Sequence, residues 1–156
     1  MSVAIPDFVI LLAEDEPADA HLVKMALKEN RILADLHQVV DGREALEFLR
    51  REGARFADAP RPDLILLDIN MPRMDGRECL AAIKQDPTLQ DIPVVILTTS
   101  DVERDVVSSY NLGAAGFVTK PVDVHDFIDV VRDIGSYWIS LVRLPAHPGT
   151  ETGNRK

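Results

Sequence analysis

The 156-residue chain has one cysteine, so an internal disulfide is excluded and no thiolate metal cluster can assemble. Its four histidines, His21, His37, His125 and His147, fall at no zinc spacing. Positive charge is in deficit: 17 Lys and Arg stand against 26 Asp and Glu, a formal net charge of −9. That sign excludes nucleic acid as the main partner, because gripping a phosphate backbone needs a basic face to release counterions. Apolar runs are short, far below the roughly 20 residues that span a bilayer, so no membrane segment is expected. The opening stretch from Met1 to Asp7 has neither a basic patch nor a long apolar core, unlike a secretory signal. With 46% hydrophobic and 28% charged residues the balance is globular. A cytoplasmic, acidic, single-domain protein is expected.

What the chain does have is a regular alternation. The runs Val9–Ala13, Leu64–Leu67 and Val94–Leu97 are continuously apolar, as in strands buried on both faces of a parallel sheet. Two more polar runs, Leu36–Val40 and Gly116–Thr119, suit sheet edges. Helix-period segments lie between them. Pro17 opens the first, with Leu22, Val23, Ala26 and Leu27 as its apolar face; Asp41 caps the second, with Ala45, Leu46 and Leu49 inward. The third runs from Gly76 to a stop at Asp86-Pro87. Ser100 to Glu103 reads as a capping box for the fourth, which Gly113 closes. Asp123 caps the fifth, where Val124, Phe127, Ile128 and Val131 share a face. The pattern predicts an α/β fold, a doubly wound, flavodoxin-like (βα)5 sheet of five parallel strands in the order 2-1-3-4-5. The expected organisation is a lead over 1–7, the domain over 8–134, a continuation of the last helix over 135–145 and a polar tail over 146–156.

In such sheets the site lies beyond the carboxyl ends of the strands. Those ends carry Glu14-Asp15 on the first strand, Asp68 on the third, Thr98 on the fourth and Lys120 on the fifth. The first and third strands are neighbours, so three carboxylates converge and repel unless protonated or bridged by a cation. An all-oxygen set suits Mg²⁺ completed by a phosphate oxygen. Carboxylates, an ammonium and a hydroxyl around such an ion are arranged to hold a phosphoryl group for transfer.

The segments Ala13-Glu14-Asp15, Leu67 to Gly76, Leu97 to Ser100 and Val118-Thr119-Lys120-Pro121 occur in one order over Phe8 to Ile134. Together they resemble the receiver domain of two-component response regulators. The resemblance implies that Asp68 is the phosphoacceptor, attacking the phosphohistidine of a sensor histidine kinase. It implies Asp15 as a direct Mg²⁺ ligand, Glu14 as one directly or through water, and the Asn70 carbonyl as another. Lys120, ahead of a cis peptide to Pro121, would pair with a phosphoryl oxygen, Thr98 would hydrogen-bond it, and Phe117 would be the switch aromatic. Two positions depart from the family's habit: Glu14 stands where Asp is commoner, and Thr99 where Ala is frequent.

The crossover from Glu52 to Pro62 and the stretch from Gly135 to Pro145 further resemble the single-domain response regulators that partner bacterial phytochrome kinases. Tyr137, Trp138, Ile139, Leu141 and Val142 extend an apolar stripe beyond the sheet, which points to a homodimer on the fourth helix, fifth strand and extended fifth helix, the alternative being a segment that folds back over its own domain. The implied role is signalling rather than enzymatic, apart from metal-dependent self-phosphorylation and slow autodephosphorylation. Asp75-Gly76 reads as loop and cap chemistry, and Cys79 as a packing residue. A haloacid-dehalogenase-like phosphatase would need Asp-x-Asp after its first strand, whereas Asp68-Ile69-Asn70 follows the third. A flavin-binding protein would need Ser/Thr donors where Glu14-Asp15-Glu16 would repel the cofactor phosphate.

Overall fold

The computed structural model describes residues 8–29, 32 and 34–134. Five parallel strands form one sheet in the order β2-β1-β3-β4-β5, as the pattern predicts. The three inner strands, β1 (Val9–Ala13), β3 (Leu64–Asp68) and β4 (Val94–Thr98), are almost wholly buried, because helices cover both faces. The edges are β2 (Asp35–Val39) and β5 (Gly116–Thr119), where partly exposed backbone tolerates the polar residues.

Side chains alternate across the sheet and so build two separate cores. Leu11, Ile65, Leu67 and Ile96 face one layer with Phe48 of α2 (Gly42–Arg50), Leu80 and Ile83 of α4 (Gly76–Gln85), and Val107 of α5 (Asp101–Ser109). Ile10, Leu12, Leu66 and Leu97 face the other with Val23 and Leu27 of α1 (Pro17–Glu29) and Phe127 and Val131 of α6 (Val124–Ile134).

Three local features differ from the sequence expectation. Leu22 is 48% exposed, and α1 instead buries Ala20, Val23 and Leu27. The crossover from Glu52 to Pro62, for which the pattern predicts no element, holds a short helix, α3 (Gly53–Phe56), whose Phe56 packs edge-on against Phe48 with ring centroids 5.5 Å apart. Helix α5 ends at Ser109 rather than at Gly113: Tyr110 caps it and Asn111 turns left-handed at φ 52°, which leaves Gly113 in the following loop. The continuation over 135–145 and the tail with His147 lie outside the described residues. Among the described residues no helix is long and apolar enough to cross a membrane.

The loop between β3 and α4 is held closely. Asp75 and Glu78 form a complete capping box at the start of α4. A Cβ on Gly76 would come within 2.5 Å of the Asp68 carbonyl oxygen, so only glycine lets α4 start against the end of β3. At the loop's outer side Arg73, itself left-handed at φ 62°, donates from Nε to Asp41 Oδ2 at 2.6 Å. Asp41 is buried and also caps α2 by accepting from Glu44 N, so one carboxylate ties the loop to the neighbouring helix.

Candidate functional site

Parallel pairing brings the strand ends level: Ala13 pairs with Leu67, Asp68 with Leu97, and Thr98 with Thr119. The next residues therefore meet above one edge of the sheet. Oxygens of Glu14, Asp15 and Asp68 all lie within 4.8 Å of one another, with Glu14 and Asp68 buried and Asp15 exposed. Lys120 reaches them from β5. Its backbone N donates to Thr98 O at 2.7 Å, and its peptide to Pro121 is cis, as expected.

The Lys120 ammonium, 11% exposed, lies 3.0 Å from Glu14 Oε1, 2.9 Å from Asp19 Oδ2 and 3.3 Å from Asp68 Oδ1. Burial pushes the Glu14 carboxyl up to about 7, and the Asp68 charge adds to that while the Lys120 hydrogen bond opposes it. Burial likewise raises Asp68, against the pull of Lys120. For Lys120 burial works downward, but hydrogen bonds to Asp19 and Glu14 and the Asp68 charge more than offset it, so the ammonium is held charged. Negative charge outnumbers positive, and one ammonium serves three acids, Glu14, Asp19 and Asp68.

The remaining residues frame that centre. Thr98 is fully buried, and its hydroxyl has no hydrogen-bond partner among the described residues. An orphan hydroxyl at a strand end beside buried carboxylates is a donor in want of an acceptor. Asn70 donates from its side chain to Glu103 Oε2 at 2.8 Å. The other Glu103 oxygen accepts from Thr99 N at 2.8 Å. The capping box expected for α5 is therefore half realised: Ser100 Oγ accepts from Glu103 N, while the Glu103 carboxylate bridges two site loops instead of returning to Ser100. Phe117 is half-buried beside a cavity of about 90 Å³ lined also by Leu80, Val107 and Leu112.

Every residue expected at the strand ends reaches this region, Phe117 one layer behind. Asp19 and Glu103 were not singled out from the sequence. Glu103 shows there only as a cap partner, and Asp19 only as an acid in the first turn of a helix, a common complement to the helix dipole. Cys79 is wholly buried, and burial lifts its thiol to about 12, which fits a packing role. His21 and His125 are exposed, and His37 pairs with Asp35 at 3.0 Å.

The donor set fits a hard divalent cation: the converging ligand atoms are carboxylate oxygens, with Asp15 exposed, in a centre short of positive charge. Residues 10–132 match the family described as the response regulator receiver domain. The chain is 48% identical over 141 residues to the response regulator Rcp1 of Synechocystis sp., covering 90% of this chain and 95% of that protein. Among solved structures, the bacteriophytochrome response regulator AtBRR superposes with a TM-score of 0.81 at 36% identity, over 92% of this chain and all of that one. The Mn²⁺-bound form of Rcp1 superposes with a TM-score of 0.68 at 48% identity, over 90% of this chain and all of that one.

The raised Glu14 carboxyl has a consequence for stability. Between about pH 4.5 and 7 the folded chain keeps a proton on Glu14 that the unfolded chain has lost, so stability without metal falls as pH rises through that window. Glu14 alone accounts for up to about 3 kcal/mol of that decline. Urea unfolding in EDTA from pH 5 to 8 should show the fall in the wild-type chain and a clearly shallower slope in Glu14→Gln. Equal slopes in the two proteins would contradict the charge assignment.

Proposed function

The chain belongs to the response regulator receiver family, and on that footing we propose that it takes a phosphoryl group onto Asp68 from a sensor histidine kinase, a bacteriophytochrome, and signals by changing shape. The observation that carries this reading is the pairing of a buried Asp68 carboxylate with the Lys120 ammonium 3.3 Å away, with Thr98 at the end of the intervening strand carrying a hydroxyl that has no hydrogen-bond partner among the described residues. The identity of the kinase draws support from the likeness to AtBRR and to Rcp1 over nearly their whole lengths.

In the proposed reaction an Asp68 oxygen attacks the phosphorus of a phosphohistidine. An oxygen–phosphorus bond forms, the phosphorus–nitrogen bond breaks, and the imidazole leaves with the electron pair. Glu14, Asp15, Asp68 and the Asn70 carbonyl would hold Mg²⁺, which when bound supplies positive charge against the phosphoryl oxygens. Lys120 donates to one of those oxygens and Thr98 Oγ1 to another, a charge-assisted pair that the resting chain lacks. As Thr98 moves inward, Phe117 follows toward the space behind it. The protein acts in the cytoplasm as a signalling partner rather than as an enzyme turning over a free substrate.

The signalling face of this reading is a homodimer built on α5, β5, α6 and the continuation over 135–145. Support comes from α5 and its cap residue, where Val102, Val106 and Tyr110 recur at i, i+4 and i+8 and are 73%, 49% and 52% exposed.

Incubation with acetyl phosphate and Mg²⁺ should add one phosphoryl group, mapped to Asp68 by mass spectrometry. Asp68→Asn, or EDTA, should remove the label. Thr98→Ala and Lys120→Ala should still accept it but lose most of the amide chemical-shift response at Phe117. Full labelling of Asp68→Asn would overturn the reading. Sedimentation at micromolar concentration should show a dimer of the full chain and a shift toward monomer for Val106→Glu. A wild-type monomer, with and without phosphorylation, would contradict the proposed face.

A further inference from the structure

The Lys120 ammonium has three N–H groups to give. Two are already engaged, one by Glu14 Oε1 at 3.0 Å and one by Asp19 Oδ2 at 2.9 Å. Asp68 Oδ1 is the most distant of the three carboxylate partners, and among the described residues it accepts no hydrogen bond. The resting ammonium is thus turned toward Glu14 and Asp19, with Asp68 its third and most distant acid.

These two acceptors differ in kind. Glu14 is wholly buried directly after β1, with its backbone N bonded to Val39 O, so its position is set by the sheet. Asp19 comes from another element, the first turn of α1, and its side chain is 31% exposed. It stands outside the Glu14, Asp15 and Asp68 cluster. An acid in the first turn of a helix is favoured by the helix dipole and by water, so Asp19 can give up the ammonium at small cost.

We propose that Asp19 is a positioning residue that holds Lys120 in its resting orientation and competes with an incoming phosphoryl group for the ammonium. This rests on Asp68 being the phosphoacceptor. Asp19 touches Lys120 but none of the reacting atoms, so it acts by competition. Its single charge is pitted against a phosphoryl group carrying about −1.5 to −2. Weakening the resting hold leaves Lys120 freer to meet the incoming group, so the barrier to labelling falls. The effect has to pass through Lys120, which separates it from simple repulsion between Asp19 and the phosphoryl group.

The test uses the full-length chain, acetyl phosphate and saturating Mg²⁺, with the labelling rate of Asp68 read by intact mass. Asp19→Asn, which keeps the shape and drops the charge, should label about three- to tenfold faster than wild type, within the range of a single weakened charge-assisted contact. Asp19→Ser repeats the measurement in case Asn disturbs α1, and Asp19→Glu should return the rate toward the wild-type value. The Lys120 ammonium resonance should move in Asp19→Asn before any phosphoryl donor is added. In a Lys120→Gln background the acceleration should vanish. An unchanged or slower rate in Asp19→Asn, or the same acceleration without Lys120, would overturn the proposal. Absence of any Asp68 label in the wild-type chain would overturn the phosphoacceptor reading as well, whereas normal wild-type labelling with no Asp19 effect would overturn this inference alone.

Discussion

A single ammonium shared among buried carboxylates is the interaction on which this molecule turns. Lys120 lies within 3.3 Å of Glu14, Asp19 and Asp68, three acids delivered by three different segments of the chain. Buried like charges are costly, and one cation compensates them only in part. The raised Glu14 and Asp68 carboxyls express the remainder. A site of this kind is stable enough to persist and short enough of positive charge to favour a bound cation. The strain of the resting state is therefore electrostatic, and it is located where chemistry is to occur.

The rest of the fold serves to hold that point. Two cores, one on each face of the sheet, fix β1, β3 and β4 so that their ends are level. Gly76 lets α4 begin against Asp68, and the Arg73–Asp41 pair ties the intervening loop to α2. On the other side of the site, Glu103 joins Asn70 to Thr99, so the loops after β3 and β4 share one carboxylate. Movement of Thr98 would be felt along that bridge by the loop that follows Asp68. The coupling needs no long pathway, because the two loops already touch.

Much of this was legible in the residues. Continuous apolar runs gave the three inner strands because burial on both faces removes the alternation that a half-exposed strand would show. Strand ends carrying Glu14, Asp15, Asp68, Thr98 and Lys120 followed from strand order. What escaped was decided by packing in three dimensions. Leu22 fits the helical period of α1 but lies off the sheet-facing stripe, which Ala20, Val23 and Leu27 occupy. The four residues of α3 are too few to show a period, and their reason for folding is Phe56 meeting Phe48. Asp19 and Glu103 have local explanations as helix-terminal acids, and only their partners, more than 30 residues away in sequence, reveal the second use.

The most direct measurement is a crystal structure of the chain with Mg²⁺ and a phosphoryl mimic such as beryllium trifluoride on Asp68. The account predicts that the Thr98 hydroxyl acquires an acceptor on that group and that the Lys120 ammonium leaves Asp19 to donate to it. A structure with the mimic bound, Thr98 still without a partner and Lys120 still on Glu14 and Asp19, would contradict it.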